Sequence, residues 1–244
     1  MKTLRLLSAV LALTAAGAAS AAVDITKGTW FGTDGTDGTL RGRDALGNAV
    51  NLLTSGAPNP ALKYLYDTQL DLTWLADGNA GAGSAFDDGD SSTEGRMTWN
   101  SATAWAASLT DSPLVVWNKP GSWALPSTDP SCGTNFNCTA SMMGALYYTA
   151  LGNPAGGPLL NSGPFRNLLA ADYWTGTENA PFTSSQAWYF VASSGFQYTY
   201  GKYGNLYALP VRPGDVAAVP EASSLALLLV GLVAVGVVGA RRSR

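Results

Sequence analysis

The stretch "LKYLYDTQLDLTWL", residues 62–75, is where the fold is decided. Leu70, Leu72 and Trp74 alternate with Asp71 and Thr73, and that period of two predicts a half-buried strand. Asp67, Thr68 and Gln69 supply turn chemistry between this run and the aromatic run before it, so the segment reads as a β-hairpin. Upstream, "LRGRDALGNAVNLL" (40–53) places a Leu-Gly-Asn turn between two more extended pieces, and "GTDGTDGT" (32–39) reads as turns or mobile chain. Downstream, residues 76–96 are polar, glycine-rich and aperiodic, which is loop chemistry.

Beyond that loop the period changes. Thr98 is placed to cap a helix that puts Trp99, Ala102, Trp105, Ala106 and Leu109 on one face. Short extended pieces, "LVVW" and "SWALPS", flank Pro120 and Gly121. A second helix is predicted from Thr139 to Leu151, with Met142, Ala145, Leu146 and Thr149 on its inner side and Gly152-Asn153-Pro154 as its stop. "DYWTGTE", "QAWYFVA", "FQYTYG" and "LYALPVRPG" then read as four strands of an antiparallel meander. Two helices between sets of strands make an α+β domain. Trp74, Trp99, Trp105, Trp174 and Trp188 fall in periodic elements and are expected in the core.

The two ends of the chain have a different chemistry. Lys2 and Arg5 precede a short apolar run, and Ala19-Ser20-Ala21 follows it, the order of a secretory signal peptide cut after Ala21 (residues 1–21) by signal peptidase. At the far end, Leu225 to Ala240 carries no charge. As a helix it spans about 24 Å at ~1.5 Å per residue, and Ser223 and Ser224 extend it into a single transmembrane helix over 223–240. Arg241, Arg242 and Arg244 favour the cytoplasmic side, which leaves the domain outside.

Val219-Pro220-Glu221, the apolar helix and the arginine cluster together resemble the PEP-CTERM sorting signal of Gram-negative bacteria (residues 219–244), with Ala222 where that family most often has a second proline. The resemblance implies recognition of the tripeptide by an exosortase, a transient stay in the inner membrane, and release to the cell surface or beyond. The runner-up keeps the tail as a permanent anchor.

Composition narrows the function of what lies between. Residues 22–220 hold nine Lys and Arg against sixteen Asp and Glu, an acidic balance unsuited to neutralising phosphates, so nucleic acid is not an expected partner. There is no histidine, which removes the commonest general base and every His-based triad or zinc site. Cys132 and Cys138 are the only cysteines and, in an oxidising compartment, close "CGTNFNC" as a local disulfide.

The segments "YDTQLDLTWLAD", "MTWNSATAWAASL", "WALPS", "MGALYYTALGN", "GPFRNL", "YWTGTE", "AWYF" and "YALPVRPGD", preceded by "LRGRDALGN", stand in the order seen in the Lcl C-terminal-like domain family, which the chain resembles over residues 62–215. That resemblance implies a C-type-lectin-like fold with a mixed or antiparallel sheet and two helices. It makes residues 22–61 a partly flexible N-terminal extension. It also implies a non-catalytic surface module, adhering to extracellular polysaccharide in some members.

Three sets of candidate residues remain. Tyr198, Tyr200, Tyr203 and Tyr207 lie in or beside the last predicted hairpin, and either stack on sugar rings or pack across strands. Asp77, Asp87, Asp88, Asp90 and Glu94 form an acidic loop, either simply solvated or holding calcium, although the EF-hand spacing is missing. No other cofactor is expected. Asp172 and Glu178 flank "YWTGT" as a conceivable glycosidase pair, but in an extended strand six residues set them about 20 Å apart. Glu178 reads better as a turn-holding residue.

Overall fold

The computed structural model describes residues 24–31, 38–88, 91, 93–111 and 115–218, and the side chains of all of these but 217 and 218. Residues Ala19, Ala21, Asp90, Val219, Pro220, Glu221, Arg241, Arg242 and Arg244, with the signal-peptide and tail segments, lie outside them. Among the described residues no helix is long and apolar enough to cross a membrane.

The chain is α+β, with mostly antiparallel sheets and two helices. Its strands are β1 (Leu40–Arg43), β2 (Ala49–Val50), β3 (Leu53–Thr54), β4 (Ala57–Pro58), β5 (Tyr64–Asp67) and β6 (Leu72–Leu75), then α1 (Trp99–Ser108) and β7 (Val115–Trp117). After these comes α2, which is α-helical over Met142–Gly144 and widens to a π-helix over Ala145–Ala150. The chain finishes with β8 (Asp172–Glu178), β9 (Gln186–Val191), β10 (Phe196–Gly201), β11 (Val211–Pro213) and β12 (Val216–Ala218).

The hairpin read from residues 62–75 is β5–β6, paired from Tyr64↔Leu75 to Asp67↔Leu72. Asp67 closes its turn by accepting from the amides of Gln69 (3.0 Å) and Leu70 (3.1 Å). The half-buried character predicted for β6 is not what forms: all four of its residues are buried. β6 lies between β5 and β11 in a five-stranded sheet ordered β11-β6-β5-β1-β2, covered on both faces. Thr73 tolerates this burial by donating its hydroxyl to Gly214 O at 2.7 Å.

The segment before residue 62 is part of that sheet. β1 pairs with β5 over four residues, and Trp30 is fully buried, with its amide donating to Ala150 O at 3.1 Å. The described part of residues 22–61 thus contributes β1 and Trp30 to the same sheet and core as the residues after it.

Helix α1 forms where it was read, with Trp99 half-buried against the core rather than within it and Leu109 as its C-cap. The Thr98 side chain accepts from Ser101 N, and Ala102, Trp105 and Ala106 are buried. In α2 the inner face differs from the predicted one: Met143, Leu146, Tyr147 and Ala150 are buried, while Met142 is half-buried and Thr149 exposed. The buried set keeps the three-and-four spacing of the predicted one but is shifted by one position, and the last turn widens, with Leu151 N donating to Leu146 O at 2.9 Å. Gly152 stops the helix with a φ of 68°, close against Gly28.

The predicted four-strand meander divides. β8, β9 and β10 form a three-stranded antiparallel sheet, but β11 leaves it and pairs with β6 from Val211↔Trp74 to Pro213↔Leu72. Pro210 has no N–H to extend a ladder beside β8, and only Tyr207 makes a single bridge there, to Tyr173. β12 pairs with β7. The Cys132–Cys138 disulfide is present. Its loop is fastened to β10: Gln197 N donates to Asn135 O (3.0 Å), and the buried Gln197 amide donates to Asp129 O and Gly133 O.

Candidate functional site

Strand geometry assembles the site. Side chains alternate across a sheet, so the register Asp172↔Val191, Trp174↔Tyr189 and Tyr198↔Tyr189 puts Asp172, Trp174, Tyr189 and Tyr198 on one face, joined by Phe196 and Tyr200. Trp174 is fully buried at the base of this face and its Nε1 donates to Met97 O at 2.9 Å. The other rings stand at the surface, with Tyr198 45% exposed, Tyr200 43% and Tyr203 79%.

They touch in sequence. Phe196 stacks on Tyr198 (5.9 Å between centroids), Tyr198 meets Tyr189 edge-on (6.3 Å), and Tyr189 meets Tyr200 (6.2 Å). Tyr200 lies nearly parallel over Trp174 (6.5 Å) and touches Tyr203 (5.8 Å). The tyrosine rings pack across strands and still present an exposed row. Tyr207 stands apart from that row. It lies along the outer side of β8, its amide donating to Asp172 O (2.9 Å) and its carbonyl accepting from Trp174 N (2.8 Å).

Between β8 and the 205–207 segment the surface opens into a groove. Two adjoining depressions of about 440 and 360 Å³ share Arg96, Asp172, Asn205 and Leu206. Glu94 and Tyr207 line the first, and Tyr189 and Tyr200 the second. Arg96 reaches this place because Met97 pairs with Leu206 and because Asp88 N donates to Arg96 O at 3.1 Å. Asn205 is fixed by donating to Asp88 O at 3.0 Å.

The charges are unequal. Arg96 Nη2 lies 3.0 Å from the Glu94 carboxylate. The Asp172 carboxylate has no hydrogen-bonding or ionic partner among the described residues, and partial burial pushes its pKa above the ordinary aspartate value. The groove thus offers donors, an undersupplied acceptor and aromatic faces side by side.

The other candidate sets do not converge. Asp87 accepts from the Gly83 and Gly95 amides (2.9 Å each), Asp88 from Thr98 N and Ser101 Oγ (2.8 Å each), and Asp77 from Asn79 N and the Asn167 amide. These carboxylates staple the loop together, and among the described residues no group of three acidic or metal-binding side chains is poised to hold an ion. Asp172 and Glu178 sit at opposite ends of β8, and Glu178 pairs with Lys202 away from the groove.

Arg96, Tyr189 and Asn205 were not singled out by sequence reading. They come from three separate segments, and only the pairing of Met97 with Leu206 brings two of those segments together. No protein-family model, curated protein or solved structure matches the chain.

Proposed function

We propose that this is an exported bacterial surface or matrix protein of the C-type-lectin-like kind, non-catalytic, which binds or organises extracellular polysaccharide. The observation that carries the reading is the row of exposed tyrosines, Tyr198, Tyr200 and Tyr203, running to a groove that holds an unpartnered Asp172. Sugar rings have apolar faces that stack on aromatic side chains and a rim of hydroxyls that needs both donors and acceptors. The Cys132–Cys138 disulfide is compatible with an oxidising compartment outside the cytoplasm. In this reading the signal peptide, the Val219-Pro220-Glu221 tripeptide and the arginine-ended helix deliver the domain through signal peptidase and an exosortase.

A glycan array with and without calcium tests the binding, and Tyr200→Ala is expected to abolish most of it. An array on which no glycan is retained refutes the reading. Mass spectrometry of secreted material tests the delivery: its C-terminus is expected near Pro220, and terminal arginines on secreted protein refute exosortase handling.

A second reading, a membrane-anchored carbohydrate-processing enzyme, draws on the raised Asp172 carboxyl and on Glu94 lining the same groove. It requires release of new reducing ends from a bound polymer. Binding without release excludes it.

A further inference from the structure

Arg96 and Asp172 face one groove beside two tyrosines, and the combination restricts what fits. An acidic sugar, a uronate or a sulfated unit, brings its charge to the unpartnered Asp172 carboxylate, while the guanidinium of Arg96 is already engaged by Glu94. An ammonium is attracted to that same carboxylate, so amine-bearing sugars are not excluded. A neutral hydroxyl is both donor and acceptor, so it serves a carboxylate and a guanidinium without adding a like charge.

We infer that the groove selects uncharged hexopyranose polymers over acidic ones, with Asp172 accepting hydrogen bonds from sugar hydroxyls and Tyr200 and Tyr189 receiving the ring face. The inference rests on the polysaccharide-binding reading and makes it specific. Ligand hydroxyls would supply the donors that the half-buried Asp172 carboxylate lacks in the protein, as charge-assisted hydrogen bonds. Changing Asp172 is therefore expected to weaken binding.

The test is affinity electrophoresis of the purified full chain through gels containing a neutral glucan, a neutral galactomannan or a polyuronate. Wild type is expected to be retarded by at least one neutral polymer at least tenfold more strongly than by the polyuronate. Asp172→Asn and Asp172→Ala are each expected to weaken neutral-polymer retention at least tenfold, with an unchanged near-UV circular dichroism spectrum as the check on folding. Asp172→Asn is also expected to raise retention by the polyuronate. Stronger retention by the polyuronate overturns the selectivity and leaves polysaccharide binding standing. Wild-type retention in both Asp172 variants overturns the role of Asp172. No retention by any polymer overturns the underlying reading as well.

Discussion

Lys202 Nζ stands 4.0 Å over the ring of Trp99, joining the turn after β10 to the first residue of α1. The same ammonium donates to Glu178 and to Thr183 O, and Trp99 Nε1 donates to Thr175 O at 2.8 Å. Glu178 thus belongs to a structural clasp. Lys202→Met is expected to lower the unfolding free energy by about 1–2 kcal/mol, mainly through the lost cation–π contact. Glu178→Gln is expected to cost less than about 1 kcal/mol, because its carboxylate is exposed and screened. Urea denaturation measures both. Loss of sugar binding in Glu178→Gln at unchanged stability would move the functional site to this end of β8.

The N-terminal segment is predicted to be indispensable to folding. Trp30 is fully buried, and Arg43 on β1 makes a two-point ion pair with Asp215, at 3.1 and 2.6 Å, just before β12. Trp30→Ala is expected to destabilise the domain by about 4 kcal/mol, as a large emptied core position does. Arg43→Met is expected to cost about 2 kcal/mol through lost charged hydrogen bonds. A chain starting at residue 62 should fail to give a cooperative thermal transition. A sharp transition in that truncation would mean that β1 and Trp30 are dispensable.

Reduction of the disulfide has a bounded effect. Closing a seven-residue loop stabilises by about 2 kcal/mol through restriction of the unfolded chain. The Cys132→Ser/Cys138→Ser double variant should therefore show a correspondingly lower urea midpoint while keeping its near-UV spectrum. Complete unfolding on reduction would mean that the bridge holds the whole domain.

Sugar binding is predicted to depend on pH through Asp172. Burial raises its carboxyl, so the folded chain takes up this proton at a higher pH than the unfolded chain does. Its contribution to stability is most favourable below the unfolded value and declines as pH rises through the folded one. Binding runs the other way: the ionised form is the better acceptor, so affinity should fall as pH drops through the raised value. Arg96 and Glu94 from the loop before α1, Tyr189 from β9, Tyr200 from β10 and Tyr207 share the groove and set its local field. Titrating retention from pH 7 to pH 4 checks this, and Asp172→Asn should flatten the profile. An equally steep profile in that variant would assign the titration to another group.

What the sequence made legible was local. The β5–β6 hairpin followed from Asp67 and the alternation after it, α1 from the Thr98 cap, and the stop of α2 from Gly152. Each signal is confined to a few neighbouring residues. The face of α2 was misread by one position because Met142-Met143 and Leu146-Tyr147 are adjacent apolar pairs, so the same three-and-four spacing fits either phase. The fate of β11 was misread because adjacency in sequence favours a meander, whereas pairing with β6 is set by contacts some 140 residues apart. The tyrosine row was visible as a cluster on β10. The polar half of the groove was not, since residues 96, 172 and 205 meet only after two distant segments have paired.

The fastening of the disulfide loop to Gln197 also bears on solubility. β10 is the outermost strand of its sheet, and "FQYTYG" is an aromatic, uncharged sequence of the type that templates intermolecular strand addition. The Asn135 carbonyl occupies one of its outward amides, so the cross-linked loop acts as a stopper on a sticky border. Oxidation at Cys132 and Cys138 keeps that stopper seated. A chain that has not yet formed the bond would be the one most prone to join its neighbours into fibrils.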